Sequence, residues 1–389
     1  MTEPNRPLTG EALSRLRSLL ACPTAPFREG AVLDWARRQL TGHGVPFCED
    51  QSGNLIVGVG SLTAYGRLLA TPARRPLPVL MAHTDHPGFH GRRWLAPDRL
   101  AIDWHGGGPL RHLEGARVWL AGDGDTALKG RLERPELTGN GRALRRAEIR
   151  LDASPSPTPG ARSLFGGLDF RAPSWRAGHR IYTRAVDDLA GVFAIVETAC
   201  GAGRQRPARW IGLLTRAEEV GFVGAIAHLE QGWLQRAKRP VVCVSLEASR
   251  HRPGAEIGKG PVVRLGDRSS VYSSSAARRL ELIARKVLPG AHQRLLMDGG
   301  SCEASATIAY GLPSIGVAVP LGNYHNQSFD GGQDAGPDGG PAPEFAHLAD
   351  LNGMVTLCRG IVTARHVEEP WAVVRAQMAR RLRKYSKLL

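Results

Sequence analysis

Apolar and polar positions alternate along this chain in three textures. Residues 11–20, behind a cap at Thr9 or Gly10, read as a helix. Residues 28–43 read as a second, amphipathic helix with Val32, Leu33, Trp35, Ala36 and Leu40 on one face. Short strands follow: 55–57 after the Gly53-Asn54 turn, and the compact run 78–82 that ends at His83. From about 91 to 178 the helical period disappears. Alternating segments such as 116–120 and 147–151 stand between Gly, Pro and Asp clusters, including the loop 154–160. That texture predicts a small all-β unit. Beyond it, 189–199 has helical spacing, and apolar runs of strand length recur at 210–214, 241–246 and 314–319. A loop rich in Gly, Asp and Pro covers 330–343, with a helix expected over 345–362. The prediction is an α/β protein: a mixed sheet covered by helices, built from 1–90 and 179–389, with a β-rich insert at 91–178.

Composition narrows the class. The chain has 389 residues and 42% hydrophobic content, enough for a large core and two domains. No apolar stretch is long enough to span a bilayer, and Met1-Thr2-Glu3-Pro4-Asn5-Arg6 lacks a signal peptide's apolar core. Cys22, Cys48, Cys200, Cys243, Cys302 and Cys358 are scattered singly. This spacing indicates neither a disulfide framework nor a thiolate zinc site and fits a reducing cytoplasm. The net charge of +15 raises the question of an anionic partner. The arginines are mostly dispersed, however, and no nucleic-acid motif occurs, so neither specific nucleic-acid binding nor a membrane role is expected. One dense cluster, Arg375, Arg380, Arg381, Arg383, Lys384 and Lys387, reads as an amphipathic basic helix or a frayed tail. The 330–343 loop lacks the spacing and closing Glu of a calcium-binding EF-hand.

Candidate chemistry gathers after the apolar runs. His83-Thr84-Asp85 follows 79–82, and Glu218-Glu219 follows 210–214. Ser245-Leu246-Glu247 follows 241–244, and Tyr324-His325 follows 315–320, while Asp187-Asp188 precedes a helix. Polar residues just past such strands sit at the sheet's carboxyl edge, where open α/β folds place ligands. Each site alone has a plain structural reading: a satisfied histidine, a helix cap, a solvated Glu pair, or Glu247 paired with a nearby arginine. Together, two His and three carboxylates suit a pair of divalent ions that share a carboxylate. Such a site also needs a carboxylate that is not a ligand to move the proton. Adjacent Glu218 and Glu219 supply both.

These strings resemble the co-catalytic zinc exopeptidases, in particular the tetrahedral aminopeptidases (the glutamyl aminopeptidase or endoglucanase-like family). The resemblance rests on 82–89, 184–191 and 218–225, then on Gly258-Lys259-Gly260-Pro261, the run 310–316, Pro320 and Tyr324-His325, with Asp50–Asn54 as an early turn. It implies a metal-dependent aminopeptidase acting on peptides, with two divalent ions, most simply zinc, with cobalt or manganese as alternatives. His83, Asp187, Glu219 and His325 would be metal ligands, with Asp187 shared. Glu218 would be the general base, and Asp85 would fix the second nitrogen of His83. Two positions depart from the family pattern. Ser245 stands where a ligand carboxylate is usual, and His86 where Glu is frequent. Residues two apart on a strand face the same side, so Glu247 is the expected ligand. Spacing separates related families: Asp187 lies 104 positions after His83, but His325 only 78 after Glu247. The insert therefore falls between the first two ligands, as in tetrahedral aminopeptidases, where it helps subunits associate. The resemblance thus implies a homo-oligomer, a dimer or larger. Alternatives on the same residues are an N-acyl amino acid deacylase, a carboxypeptidase, or a non-catalytic assembly module.

Overall fold

The structure is a computed structural model that describes residues 6–122, 127–202, 209–297, 299–364 and 371–388. Four strands at the centre of the large sheet are mutually parallel: Ile211–Thr215, Leu77–His83, Val241–Arg250 and Ser314–Gly322, in that spatial order. They are apolar on both faces and almost wholly buried, as strands covered by helices on each side must be. Antiparallel strands complete the sheet. Leu55–Val57 and Phe47–Glu49 lie at one edge, and Glu344–His347, Arg180–Thr183 and Ser174–Ala177 at the other. Helix Leu189–Ala202 is buried over most of its length and packs with Leu348–Thr363 on one face, in the main core. Helix Val223–Glu230 and Tyr65 of helix Leu62–Ala70 pack on the other.

The insert closes on itself. Strands Gly88–Ala96, Arg99–His105, Leu144–Leu151, Ala127–Leu137, Arg117–Ala121 and Phe165–Leu168 form a barrel in that order. Its interior is filled by Phe89, Leu100, Ile102, Val118, Leu132 and Ile149, the inward positions of alternating strands. Closure removes the exposed strand edges that so short a β unit would otherwise present. Strand Ser174–Ala177, within the expected insert span, pairs with Arg180–Thr183 in the large sheet instead.

One element differs from expectation. Residues 344–347 form a strand rather than the first turn of a helix. The helix begins at Leu348, where the His347 ring accepts the Ala349 N–H. Pairing explains the switch, because Phe345 lies opposite Tyr182 on one side and Gly322 on the other. Among the described residues no helix is long and apolar enough to cross a membrane. Helix Ala372–Tyr385 has no buried residue.

Packing of Phe345 on Gly322 yields a test. A Cβ on Gly322 would lie 2.1 Å from the Phe345 ring. Gly322→Ala should therefore destabilise the protein by about 1–3 kcal/mol, the usual cost of overpacking, read as a lower midpoint in chemical denaturation.

Candidate metal centre

Strand register brings the predicted residues to one edge. Thr215 lies opposite His83, so the turn after one strand sits beside the end of the next. Glu247 lies near the end of the neighbouring strand, Asp187 on the loop before helix Leu189–Ala202, and His325 on a turn after Ser314–Gly322. His83 Nε2 is 3.6 Å from Asp187 Oδ1, and His325 Nε2 is 3.4 Å from Asp187 Oδ2 and 3.2 Å from Glu219 Oε1. Three ligand-sized groups result: His83–Asp187–Glu247, Asp187–Glu219–His325 and His83–Glu218–Glu219; Asp187 belongs to the first two and Glu218 only to the third. Glu218 lies beside them, its Oε2 3.9 Å from His83 Nε2.

The donor set fits metal ions. A tetrahedral zinc ion about 2.0–2.2 Å from each ligand would hold ligand atoms roughly 3.3–3.6 Å apart. The 3.4 and 3.6 Å separations from Asp187 match that spacing and exceed ordinary hydrogen-bond lengths, and the 3.2 Å contact of His325 with Glu219 lies just below it. Asp187 Oδ1 and Glu219 Oε1 are buried and accept no hydrogen bond among the described residues, an arrangement that costs free energy unless a cation takes their place. Titration behaviour points the same way. Burial raises the Glu218 carboxyl well above its ordinary value, and Glu219, Glu247 and Asp85 add to it, with only His83 opposing. Burial, then Asp187, raises Glu247 to about 8. Burial disfavours the Asp187 carboxylate too, but the facing imidazoles of His325 and His83 outweigh it and hold Asp187 below the usual range. Burial also disfavours the charged rings of His83 and His325, yet their carboxylate neighbours raise both. The cluster lacks positive charge, and divalent ions would supply it.

Each predicted residue has a located role in this geometry. Asp85 does more than face His83, whose Nδ1 is 3.5 Å from its carboxylate and 3.1 Å from its carbonyl. Its two oxygens accept the N–H groups of Glu218 (2.9 Å) and Glu219 (3.1 Å), so one side chain sets both the His83 ring and the Glu pair. Ser245 donates its hydroxyl to Glu247 Oε1 at 3.0 Å. Asp188 caps the following helix through the Gly191 N–H, and the Asp187–Asp188 peptide is cis. His86 is not among the ligand groups. Its ring ties the Asp187 carbonyl (2.7 Å) to Asn326 Oδ1 (3.1 Å) and so joins the two loops that carry Asp187 and His325.

Two buried carboxylates went unseen in the sequence. Glu344 accepts the N–H groups of Val186 and Asp187 on one oxygen and that of His325 on the other. It clamps the Asp187 backbone and the second histidine from behind, while His325 itself is held at a left-handed φ of 53°. Glu29 accepts the Ala217 N–H and the Arg216 side chain, and so supports the turn ahead of the Glu pair. Asn54, held by Asp50, accepts the Arg216 N–H of the same turn. Neither Glu29 nor Glu344 sits in a ligand-like motif, so only their contacts identify them. The insert also reaches the site: a Cβ on Gly107 would lie 2.3 Å from His325 Nδ1.

A profile described as M42 glutamyl aminopeptidase matches residues 71–329. No curated protein matches the chain. Several solved structures share the fold at low identity. A TET aminopeptidase from a marine sediment thaumarchaeon is 17% identical, with a TM-score of 0.71 over 92% of this chain and 98% of that one. The Pyrococcus horikoshii TET1 peptidase, which assembles into a tetrahedron or a large octahedral shell, is 21% identical, with a TM-score of 0.68 over 90% and 99%. An aminopeptidase from Desulfurococcus kamchatkensis is 18% identical, with a TM-score of 0.69 over 93% and 96%.

The clamp by Glu344 predicts a metal phenotype without a ligand change. Glu344→Gln should lower divalent-ion affinity about 10–100-fold, as loss of a ligand's outer support does, in titrations against a chromogenic chelator. Gly107→Ala should weaken binding too, because its methyl would displace the His325 ring. Unchanged affinity in both would remove these residues from the site's support.

Proposed function

The chain belongs to the M42 glutamyl aminopeptidase family, and from that premise we propose that it releases N-terminal residues from peptides at a dinuclear metal centre. The observation that carries the reading is the pair of ligand groups sharing Asp187, with the unshared carboxylate of Glu218 alongside. His83, Asp187 and Glu247 would hold one ion, and Asp187, Glu219 and His325 the other. Zinc is the natural choice for this nitrogen and oxygen set, and cobalt or manganese would also be accepted. When bound, the ions supply Lewis acidity toward the scissile carbonyl and anchor the substrate amine.

The chain's own residues do the rest. Glu218 takes a proton from the attacking water and returns it to the leaving amine. Asp85 fixes Glu218 through its backbone N–H, so the base is set before substrate arrives. A cleft of about 1010 Å³ opens beside Glu247 and Tyr324 and has room for a peptide. Its lining includes Arg250, Met297 and Phe329, so it can take both polar and apolar side chains. The proposed setting is a homo-oligomer in the cytoplasm.

Glu218→Gln should retain two ions per chain yet lose about 10²–10⁴-fold in kcat, the usual worth of a general base. Wild-type-like turnover would remove Glu218 from that role. Glu247→Ala should hold only one ion tightly, while Ser245→Ala should keep both, as counted by elemental analysis after dialysis. Free-amine aminoacyl anilides should be cleaved and their N-acetylated counterparts left intact. The reverse preference would make the enzyme a deacylase on the same centre.

A further inference from the structure

A second cleft lies at the opposite edge of the large sheet. The four parallel strands begin there and end at the metal cluster, so the two are about 20 Å apart along the strands. The cleft encloses about 610 Å³, within the range of small-molecule sites. Val244, Leu280, Ile315 and Ile361 contribute to an apolar floor. Five arginines line it as well: Arg74, Arg75, Arg209, Arg239 and Arg279. Among the described residues no carboxylate lines it.

Among the described residues none of the five side chains makes a hydrogen bond or an ion pair. Arg239 Nε is buried with no acceptor, and burial lowers the pKa of that guanidinium. Arg74, Arg75 and Arg209 are exposed and Arg239 and Arg279 half-buried; guanidinium groups placed together repel, and a buried guanidinium nitrogen such as Arg239 Nε needs an acceptor. Elsewhere this chain pairs Arg15 with Glu197 and Arg216 with Glu29, although the Nε atoms of Arg264 and Arg278 are likewise buried without an acceptor. A small inorganic anion would satisfy the arginines but leave the floor wet. A neutral apolar molecule would cover the floor but leave the charges unmatched.

One ligand class meets both demands. We propose that this cleft binds a single-chain acyl carboxylate, with its tail along the apolar floor and its headgroup among the arginines. The site is separate from the metal centre and does not depend on the peptidase reading. Carboxylate and guanidinium form bidentate, charge-assisted pairs, which orient the head while the tail contributes by burial.

Calorimetric titration of the full-length, metal-loaded protein with sodium decanoate, below its micelle concentration, tests this. Decanoate should bind saturably at one site per chain, and both acetate and decanol more weakly. Arg239→Gln combined with Arg279→Gln should weaken decanoate at least about tenfold, as loss of hydrogen bonds to a charged group does. Peptidase turnover and the circular dichroism spectrum of that variant should be unchanged. Absence of saturable binding would overturn the proposal. Equal affinity in the double variant, or acetate or decanol binding as tightly as decanoate, would do so too.

Discussion

Asp187 is the pivot of this molecule, because its two oxygens face in opposite directions. Oδ1 looks toward His83 and Oδ2 toward His325, so one buried carboxylate organises both halves of the site. That geometry depends on elements far apart in sequence. His83 ends one parallel strand, Glu219 follows a second, Glu247 lies on a third and His325 follows a fourth. The parallel register aligns their ends, and the helices on both faces keep the strands dry. Slippage of one strand would turn its ligand away and leave the remaining carboxylates unmatched.

So much buried negative charge is held in place by backbone. Asp85, Glu29 and Glu344 each accept peptide N–H groups from the turns that carry the reactive side chains. Hydrogen bonds to charged groups are worth about 1.5–3 kcal/mol each, more than neutral ones, so a few of them can fix a loop. The arrangement leaves one oxygen each of Asp187 and Glu219 free of donors, while Glu247 accepts the Ser245 hydroxyl. Asp187 Oδ1 and Glu219 Oε1 remain open, as atoms waiting for cations should be. The insert contributes at this level too, since Gly107 gives the His325 ring its space.

Much of the fold was legible in the sequence, for a physical reason. The parallel strands are apolar throughout, and each is followed by a polar residue whose chemistry stands out, so strand ends and candidate ligands were found together. The barrel showed itself through alternation without helical period. Less could be read where a residue's part comes only from tertiary pairing. Residues 345–347 look like the start of a helix, but pairing of Phe345 with Gly322 and Tyr182 places them in the strand Glu344–His347. That strand carries Glu344 to the back of the site, and nothing local marks it. His86 stood out as a departure without a role, and only its contacts with Asp187 and Asn326 supply one. Glu247 was reachable from strand geometry, because residues two apart share a face. The hydrogen bond from Ser245 then explains how that serine accompanies the carboxylate.

The central claim is that Asp187 bridges two ions, one completed by Glu247 and the other by His325. Anomalous diffraction from crystals grown with zinc measures this directly. The account predicts two peaks about 3.5–4 Å apart, the spacing of two-metal sites, on either side of the Asp187 carboxylate. One should touch His83 and Glu247, the other Glu219 and His325. A single peak, or a pair in which Glu247 touches neither ion, would contradict it.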